Sequence, residues 1–137
     1  DGATLLVDGE LPRASPRVWV GGIGQCQEHL VHGADCYVEE EVTSSGTMTF
    51  SSPNSIATIH LQAANLFGAQ WTFHNVNLAL EELTVEGEKN VMNFQTLDGV
   101  MCMGMSMLRL AVREGGLFLS GVRVIASHVT LEDGEIH

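Results

Sequence analysis

The chain has 137 residues, of which 45% are apolar and 17% charged, a composition typical of one globular domain rather than of a disordered segment. Seventeen acidic residues against six basic ones give a formal net charge of -11, which disfavours nucleic-acid partners because such a surface repels phosphate backbones. No apolar run is long enough to span a bilayer. The chain begins at Asp1 without a signal-peptide pattern, so we expect a processed form or a fragment. We predict a single domain over residues 1–137 with no membrane span.

The first fifty residues are the less regular part of this domain. Prolines and glycines interrupt them, which leaves short strands predicted at 4–7, 18–20 and 47–50. We therefore expect a looser N-terminal part over 1–50, followed later by regular β repeats over 71–137.

Three cysteines bear on the cellular compartment. Cys26 and Cys36 are close enough in the chain for a disulfide to close the loop between them, which would leave Cys102 as a free thiol. A disulfide would indicate an oxidising compartment, and hence an extracellular or organelle-lumen location. Three reduced thiols are the alternative.

The same loop contains residue types that bind zinc. Within eleven residues it contains Cys26, His29, His32 and Cys36, together with Asp35. Their spacing matches none of the common zinc modules, in which paired ligands lie two to four residues apart. We therefore favour a polar loop and keep the two cysteines and two histidines as weak metal candidates.

The segment from Ser52 to Gly68 fits two interpretations. Ser52 is a suitable helix cap, and Gly68 falls just past the end of a helix that would span 52–67. Alternation of Ala57, Ile59, Leu61 and Ala63 is instead typical of a strand. We favour the helix, as the single short helical element of the chain.

From Trp71 onward, short β-prone runs follow one another with glycines between them. The recurring phrase is a brief alternating strand that ends at an acidic or small residue and then glycine; it occurs at 5–9, 83–87, 117–121 and 129–134. Stacked coils of roughly twenty residues repeat in this way in parallel β-helices. An antiparallel β-sandwich or jelly roll with frequent hairpins is the alternative.

Residues 71–78 and 83–87 resemble the asparagine-bearing coils of the right-handed parallel β-helix proteins of the pectin-lyase-like superfamily. The resemblance extends from Trp71 to His137. It implies an all-β chain folded as a short right-handed parallel β-helix. It also implies that certain asparagines stack or cap tight turns, namely Asn75, Asn77, Asn90 and Asn93.

Four methionines alternate at 101, 103, 105 and 107, so in a strand their thioethers would share one face. Thioethers bind Cu(I), but methionine also fills irregular cores well. We predict that at least two of the four are core residues.

No nucleophile elbow, phosphate-binding glycine loop or metalloprotease helix is present, so we predict no catalytic residue and no cofactor. The leading hypothesis is a non-enzymatic structural or interaction module that docks through a β surface into a larger assembly, with a protein partner or as an oligomer. One alternative is a carbohydrate-binding or carbohydrate-active β-helix, in which Trp19, Trp71 and Phe73 stack on sugars. The other is a soft-metal protein that binds copper or zinc.

Overall fold

The structure is a computed structural model that describes residues 17–53, 55–96 and 103–137. The predicted strand at 4–7, Met101 and Cys102 lie outside these residues. The described part contains one helix and ten strands. In chain order they are β1 (Arg17–Gly21), α1 (Ile23–Leu30), β2 (Ala34–Val38), β3 (Val42–Ser44), β4 (Thr47–Ser51), β5 (Ala57–Phe67), β6 (Gln70–His74), β7 (Val76–Glu86), β8 (Asn90–Gln95), β9 (Met103–Ser120) and β10 (Val122–Ile136).

All strand pairings in the described part of the chain are parallel, and they stack the strands into a β-solenoid of about 5 turns. β5 pairs with β7, β7 with β9 and β9 with β10, so each coil lies on the coil before it. The predicted parallel solenoid is therefore confirmed. The antiparallel sandwich is wrong, because a sandwich needs hairpin partners and these strands pair with partners one coil away.

Each full coil has three faces, separated by corners at which the alternation of inward and outward side chains breaks. In β5, for example, Gln62 and Ala63 both point outward between the buried Leu61 and Ala64. We name the faces by their stacked segments. Face A comprises 17–21, 34–38, 57–61, 76–80, 103–107 and 122–126; face B comprises 42–44, 63–67, 82–86, 109–113 and 128–132; face C comprises 47–51, 70–74, 90–95, 115–120 and 134–136.

The core is the interior of the solenoid, where side chains at equivalent positions of successive coils stack. On face C the rings of Phe50, Phe73 and Phe94 form such a stack, with centroids 5.5 Å and 4.4 Å apart. Burial of each large apolar side chain contributes about 1.5–3 kcal/mol. On face A, the three described methionines Met103, Met105 and Met107 are buried, which confirms the prediction of a core role for at least two.

Asparagine side chains link successive coils. Asn75 lies at a corner with a positive φ of 61°, and Asn90 also donates to the carbonyl of Glu86 and so caps the turn between them. The capping role that the resemblance implied is confirmed at these two positions. The bonds between coils are Asn75 Nδ2 to Ser52 O at 3.2 Å, Gly104 N to Asn77 Oδ1 at 2.7 Å, Ala69 N to Asn90 Oδ1 at 3.0 Å, and Ser120 Oγ to Asn93 Oδ1 at 2.7 Å.

The helix predicted over 52–67 is wrong. Residues 57–67 form β5, whose buried Ala57, Ile59 and Leu61 alternate with outward residues. A strand forms here because β5 lies between β2 and β7 and makes backbone hydrogen bonds on both sides. A single short helix does occur among the described residues, but it is α1, which overlaps the segment for which we expected a polar loop.

The helix α1 replaces two strands of the first coil and covers the core there. Its Cys26 and Leu30 are fully buried, and Cys26 is joined to Cys36 of β2 by a disulfide with the two Cα atoms 5.8 Å apart. The Gln27 side chain binds the backbone of Ser51 at the edge of β4. The helix therefore supplies to the neighbouring coil some of the contacts that a strand would make.

Candidate functional site

The outer surface of face A carries a long depression. Two adjoining hollows, of about 570 Å³ and 280 Å³, share Ala79 and run across the stacked strands. Six strands at about 4.8 Å spacing give it a length of about 24 Å. We call this surface the face A trough. Its outward side chains form two columns, one of Val18, Asp35, Thr58, Asn77, Gly104 and Arg123, and one of Val20, Tyr37, His60, Ala79, Ser106 and Ile125.

The end of the trough near β1 is apolar and aromatic. Val18 and Val20 are 56% and 53% exposed although both are β-branched apolar residues. Tyr37, next in register to Val20, stacks on His60 with ring centroids 4.0 Å apart and an interplanar angle of 6°. These residues belong to three consecutive coils, so the apolar surface is continuous.

Carboxylates border this apolar end. Glu39 and Glu81 line the larger hollow at the corner between faces A and B, and Gln62 lies between them. The trough therefore combines an apolar floor with a negative rim.

His60 is mainly neutral at physiological pH. Burial lowers the pKa of its imidazole below the ordinary value, and the nearby Asp35 carboxylate opposes that shift only in part. Asp35 also accepts a hydrogen bond from the backbone N–H of Thr58 at 2.9 Å, which holds the carboxylate against the next coil. Because His60 is mainly neutral and stacks on Tyr37, its imidazole adds little positive charge to this end of the trough.

Small side chains form the middle of the trough. Ala79, Gly104 and Ser106 leave room above the backbone, and Arg123 and Ile125 close the far end on β10. Asn77 Oδ1 accepts the Gly104 N–H at 2.7 Å, which links this part of the floor to the next coil.

The chemistry available in the trough depends on what surrounds His60. Within the described residues, His60 shares no hydrogen bond with a hydroxyl or a carboxylate that could make it a general base for a nucleophile. Its ring stacks on that of Tyr37. The trough can therefore accommodate an apolar segment beside the stacked rings of Tyr37 and His60.

The three aromatic residues proposed to stack on sugars lie elsewhere. Trp71 and Phe73 are core residues with exposures of 1% and 0%, so neither ring has a free face. Trp19 is half-buried and stacks on His29 with centroids 4.3 Å apart. The fold does not bring these three rings together on one surface.

The weak metal candidates are also not assembled as a ligand set. The sulfurs of Cys26 and Cys36 are joined in the disulfide, and His29 packs on Trp19. In the ranges that the structure describes, no group of three or more His, Cys, Asp or Glu residues is placed to hold a metal ion.

Sequence reasoning missed the trough, although one local signal pointed to it. Val18, Trp19 and Val20 are consecutive apolar residues in a strand, so both faces of that strand carry apolar side chains, and in a solenoid one of the two faces points outward. The partners Tyr37 and His60 could not be found in this way, since they are neighbours only through the pairing of coils.

Comparison of the chain with protein-family models, with curated proteins and with solved structures found no match. Of the helices in the described residues, none has the length and apolar character needed to cross a membrane.

Proposed function

We propose that this protein is a non-enzymatic interaction module that docks a partner protein segment in the face A trough. The segment carries apolar side chains flanked by lysine or arginine. The observation that carries this proposal is the continuous apolar surface of Val18, Val20 and Tyr37, which adjoins a hollow of about 570 Å³.

The apolar end of the trough supplies the binding energy in this proposal. Covering an exposed valine is worth up to about 1.5–3 kcal/mol, and tyrosine is enriched among residues that dominate interface affinity. Because β1, β2 and β5 belong to a hydrogen-bonded stack, these side chains are held in place before binding. Preorganisation of this kind reduces the entropy lost on association.

The charge of the surface selects the partner. Glu39 and Glu81 border the apolar end, and the whole chain has a net charge of -11. A segment with cationic residues next to its apolar ones would therefore be attracted and oriented, whereas an acidic one would be repelled.

Binding of synthetic peptides tests this function. A short peptide of alternating valine and lysine is titrated with the protein by fluorescence anisotropy, beside a matched peptide in which glutamate replaces lysine. We expect the lysine peptide alone to bind, and Val20→Ser to weaken its affinity by about tenfold. Val31→Ser is the matched control, because Val31 is 41% exposed at the end of α1 and lines neither hollow. Equal binding of both peptides, or equal loss in both variants, would contradict the proposal.

The carbohydrate-binding alternative is an outcome of the same experiment. It requires an exposed ring, and Trp19 is the one candidate of the three with a partly exposed side chain. Titration of a neutral glucan and an acidic galacturonan oligosaccharide therefore accompanies the peptides. Sugar binding that Trp19→Ala abolishes and Val20→Ser leaves intact would replace the peptide proposal.

We also propose that the chain belongs to the pectin-lyase-like superfamily. What supports it is the parallel stacking of the coils and the capping by Asn75 and Asn90.

A further inference from the structure

Charged side chains on the outer surface of face B neutralise each other across neighbouring coils. Arg109 contacts Glu82 at 3.1 Å, and Arg113 contacts Glu132 at 3.2 Å. Each pair joins residues that are in register on adjacent strands. These four side chains therefore already have an opposite charge beside them.

The charged side chains of the face A trough are arranged differently. Glu39 and Glu81 line the larger hollow, and Arg123 lines the smaller one. Among the residues that the structure describes, none of these three forms an ion pair. Arg123 is also the one arginine or lysine among the described residues that line the two hollows. The trough therefore presents two carboxylates and one guanidinium that are available to a partner.

The negative and the positive charges of the trough lie at separate positions along it. Asp35 and Arg123 occupy the same outward column, with three uncharged residues between them. Four strand spacings of about 4.8 Å put about 19 Å between these two positions. Glu81 follows the face A segment of β7, two coils from Arg123, which is a rise of about 10 Å. The trough is therefore negative along one part, positive at another and uncharged between the two.

We propose that the trough binds a partner segment whose charges are segregated, with lysine or arginine at one end of its apolar stretch and aspartate or glutamate at the other. The basic end lies over the carboxylates of Asp35, Glu39 and Glu81, and the acidic end lies at Arg123. This inference rests on the function proposed for the trough and adds the charge order of the partner. An extended chain rises by about 3.3 Å per residue, so about three to six residues separate the two kinds of charge.

Arg123 is suited to recognise the acidic end of such a segment. Its guanidinium can present two parallel N–H groups to one carboxylate, which fixes the geometry of the pair as well as its sign. Ion pairs at an exposed rim change affinity by up to about fivefold each. The charges therefore set the orientation and the selectivity of binding, while the apolar residues supply most of the affinity.

The uncharged middle of the trough enforces this order. Ala79, Gly104 and Ser106 line it and carry no charge. A lysine or glutamate of the partner placed over them would lose water without gaining an oppositely charged neighbour. A segment with its charges in the wrong order therefore binds less tightly than one of the same composition in the right order.

Two peptides of identical composition test the charge order. One has two lysines, five alternating valines and serines, and two glutamates; in the other, one lysine and one glutamate exchange places, so that each end carries both charges. Both have blocked termini and the same net charge, so the overall charge of -11 acts equally on them. Fluorescence anisotropy at low salt should show about fivefold tighter binding of the segregated peptide. Salt at about 1 M should remove this difference by screening.

Substitution of Arg123 tests the residue assigned to the acidic end. Arg123→Glu should abolish the preference for the segregated peptide, because it places a carboxylate beside the smaller hollow. Lys89→Glu is the matched control, since it makes the same change of charge at an exposed residue that lines neither hollow. Circular dichroism of both variants establishes that the fold is retained. Equal binding of the two peptides by the wild-type protein, or an equal effect of the two substitutions, would overturn the proposal.

The same titrations separate this inference from the function on which it rests. If the valine–lysine peptide binds and Val20→Ser weakens it, while the order of charges has no effect, then the charge order alone is wrong. If none of the peptides binds, the docking function is wrong and the charge order is overturned with it.

Discussion

The side chain of Gln27 acts as a substitute for a strand at the edge of β4. Its Oε1 accepts the Ser51 N–H at 2.6 Å, and its Nε2 donates to the Ser51 carbonyl at 3.1 Å. Two backbone groups that would otherwise need a neighbouring strand are satisfied by one amide. This residue gave no signal in the sequence, because its role depends on where α1 lies in the coil.

Replacing Gln27 by leucine should destabilise the protein by about 1–3 kcal/mol, since both Ser51 groups would lose their partners in a partly buried site. Urea denaturation measures the change. Gln25→Leu on the same helix is the control, because Gln25 is exposed and should change the free energy of unfolding by less than about 0.5 kcal/mol. Similar unfolding midpoints for the two variants would contradict the role assigned to Gln27.

Gly121 connects β9 to β10 in a conformation that other residues rarely adopt. Its φ is +69°, and a Cβ at this position would collide with the carbonyl oxygen of Phe94. We expect Gly121→Ala to cost about 1–3 kcal/mol from the backbone conformation alone, with the collision adding to it. Gly46→Ala is the control, as a Cβ there would have open space. Thermal melts in which both variants behave alike would refute this account.

Two elements explain where sequence reasoning succeeded and where it did not. The strand β5 contains residues that also suit a helix, and only its pairing with β2 and β7 decides between the two structures. The helix α1 was missed because Gly22 and Gly24 surround its start and no side chain caps it. It is stabilised by buried Leu30 and by the disulfide, which are tertiary features that no local pattern contains.

The core role of the methionines in the first segment of β9 can be tested by substitution and by oxidation. Met105→Ala should cost about 2–5 kcal/mol, because the substitution leaves a cavity in the core. Leu108→Ala on the same strand is the control, since Leu108 is largely exposed and should cost about 1 kcal/mol or less. Under mild peroxide, the half-buried Met48 should be oxidised before Met103, Met105 and Met107, as followed by peptide mapping. Rapid oxidation of the latter three in the folded protein would contradict their core role.

The disulfide attaches α1 to β2. The doubly substituted Cys26→Ser/Cys36→Ser chain should be less stable than the wild type by about 2–3 kcal/mol, given the short loop that the bridge closes. Alkylation of the non-reduced protein, followed by mass spectrometry, should modify one thiol, that of Cys102. Three modified thiols in freshly isolated protein would show that the bridge is absent.

At the scale of the whole molecule, the coils have unequal lengths. One inward position recurs in every coil, and it is occupied in turn by Trp19, Cys36, Ile59, Leu78, Met105 and Val124. The spacing between these residues gives successive coil lengths of 17, 23, 19, 27 and 19 residues. The recurring strand–glycine phrase was enough to predict a parallel solenoid. The face A trough could not be predicted, because with no constant period the sequence does not indicate which outward residues become neighbours.

Amide hydrogen exchange should show a difference between an interior coil and the last one. β7 lies between β5 and β9, so its backbone N–H groups have partners on both sides, whereas β10 is paired, among the strands that the structure describes, with β9 alone. In dilute protein we expect slow exchange along β7 and rapid exchange of those β10 amides that point away from β9. Equal protection of β7 and β10 in dilute wild-type protein would mean that the outer edge of β10 is already covered within a single chain.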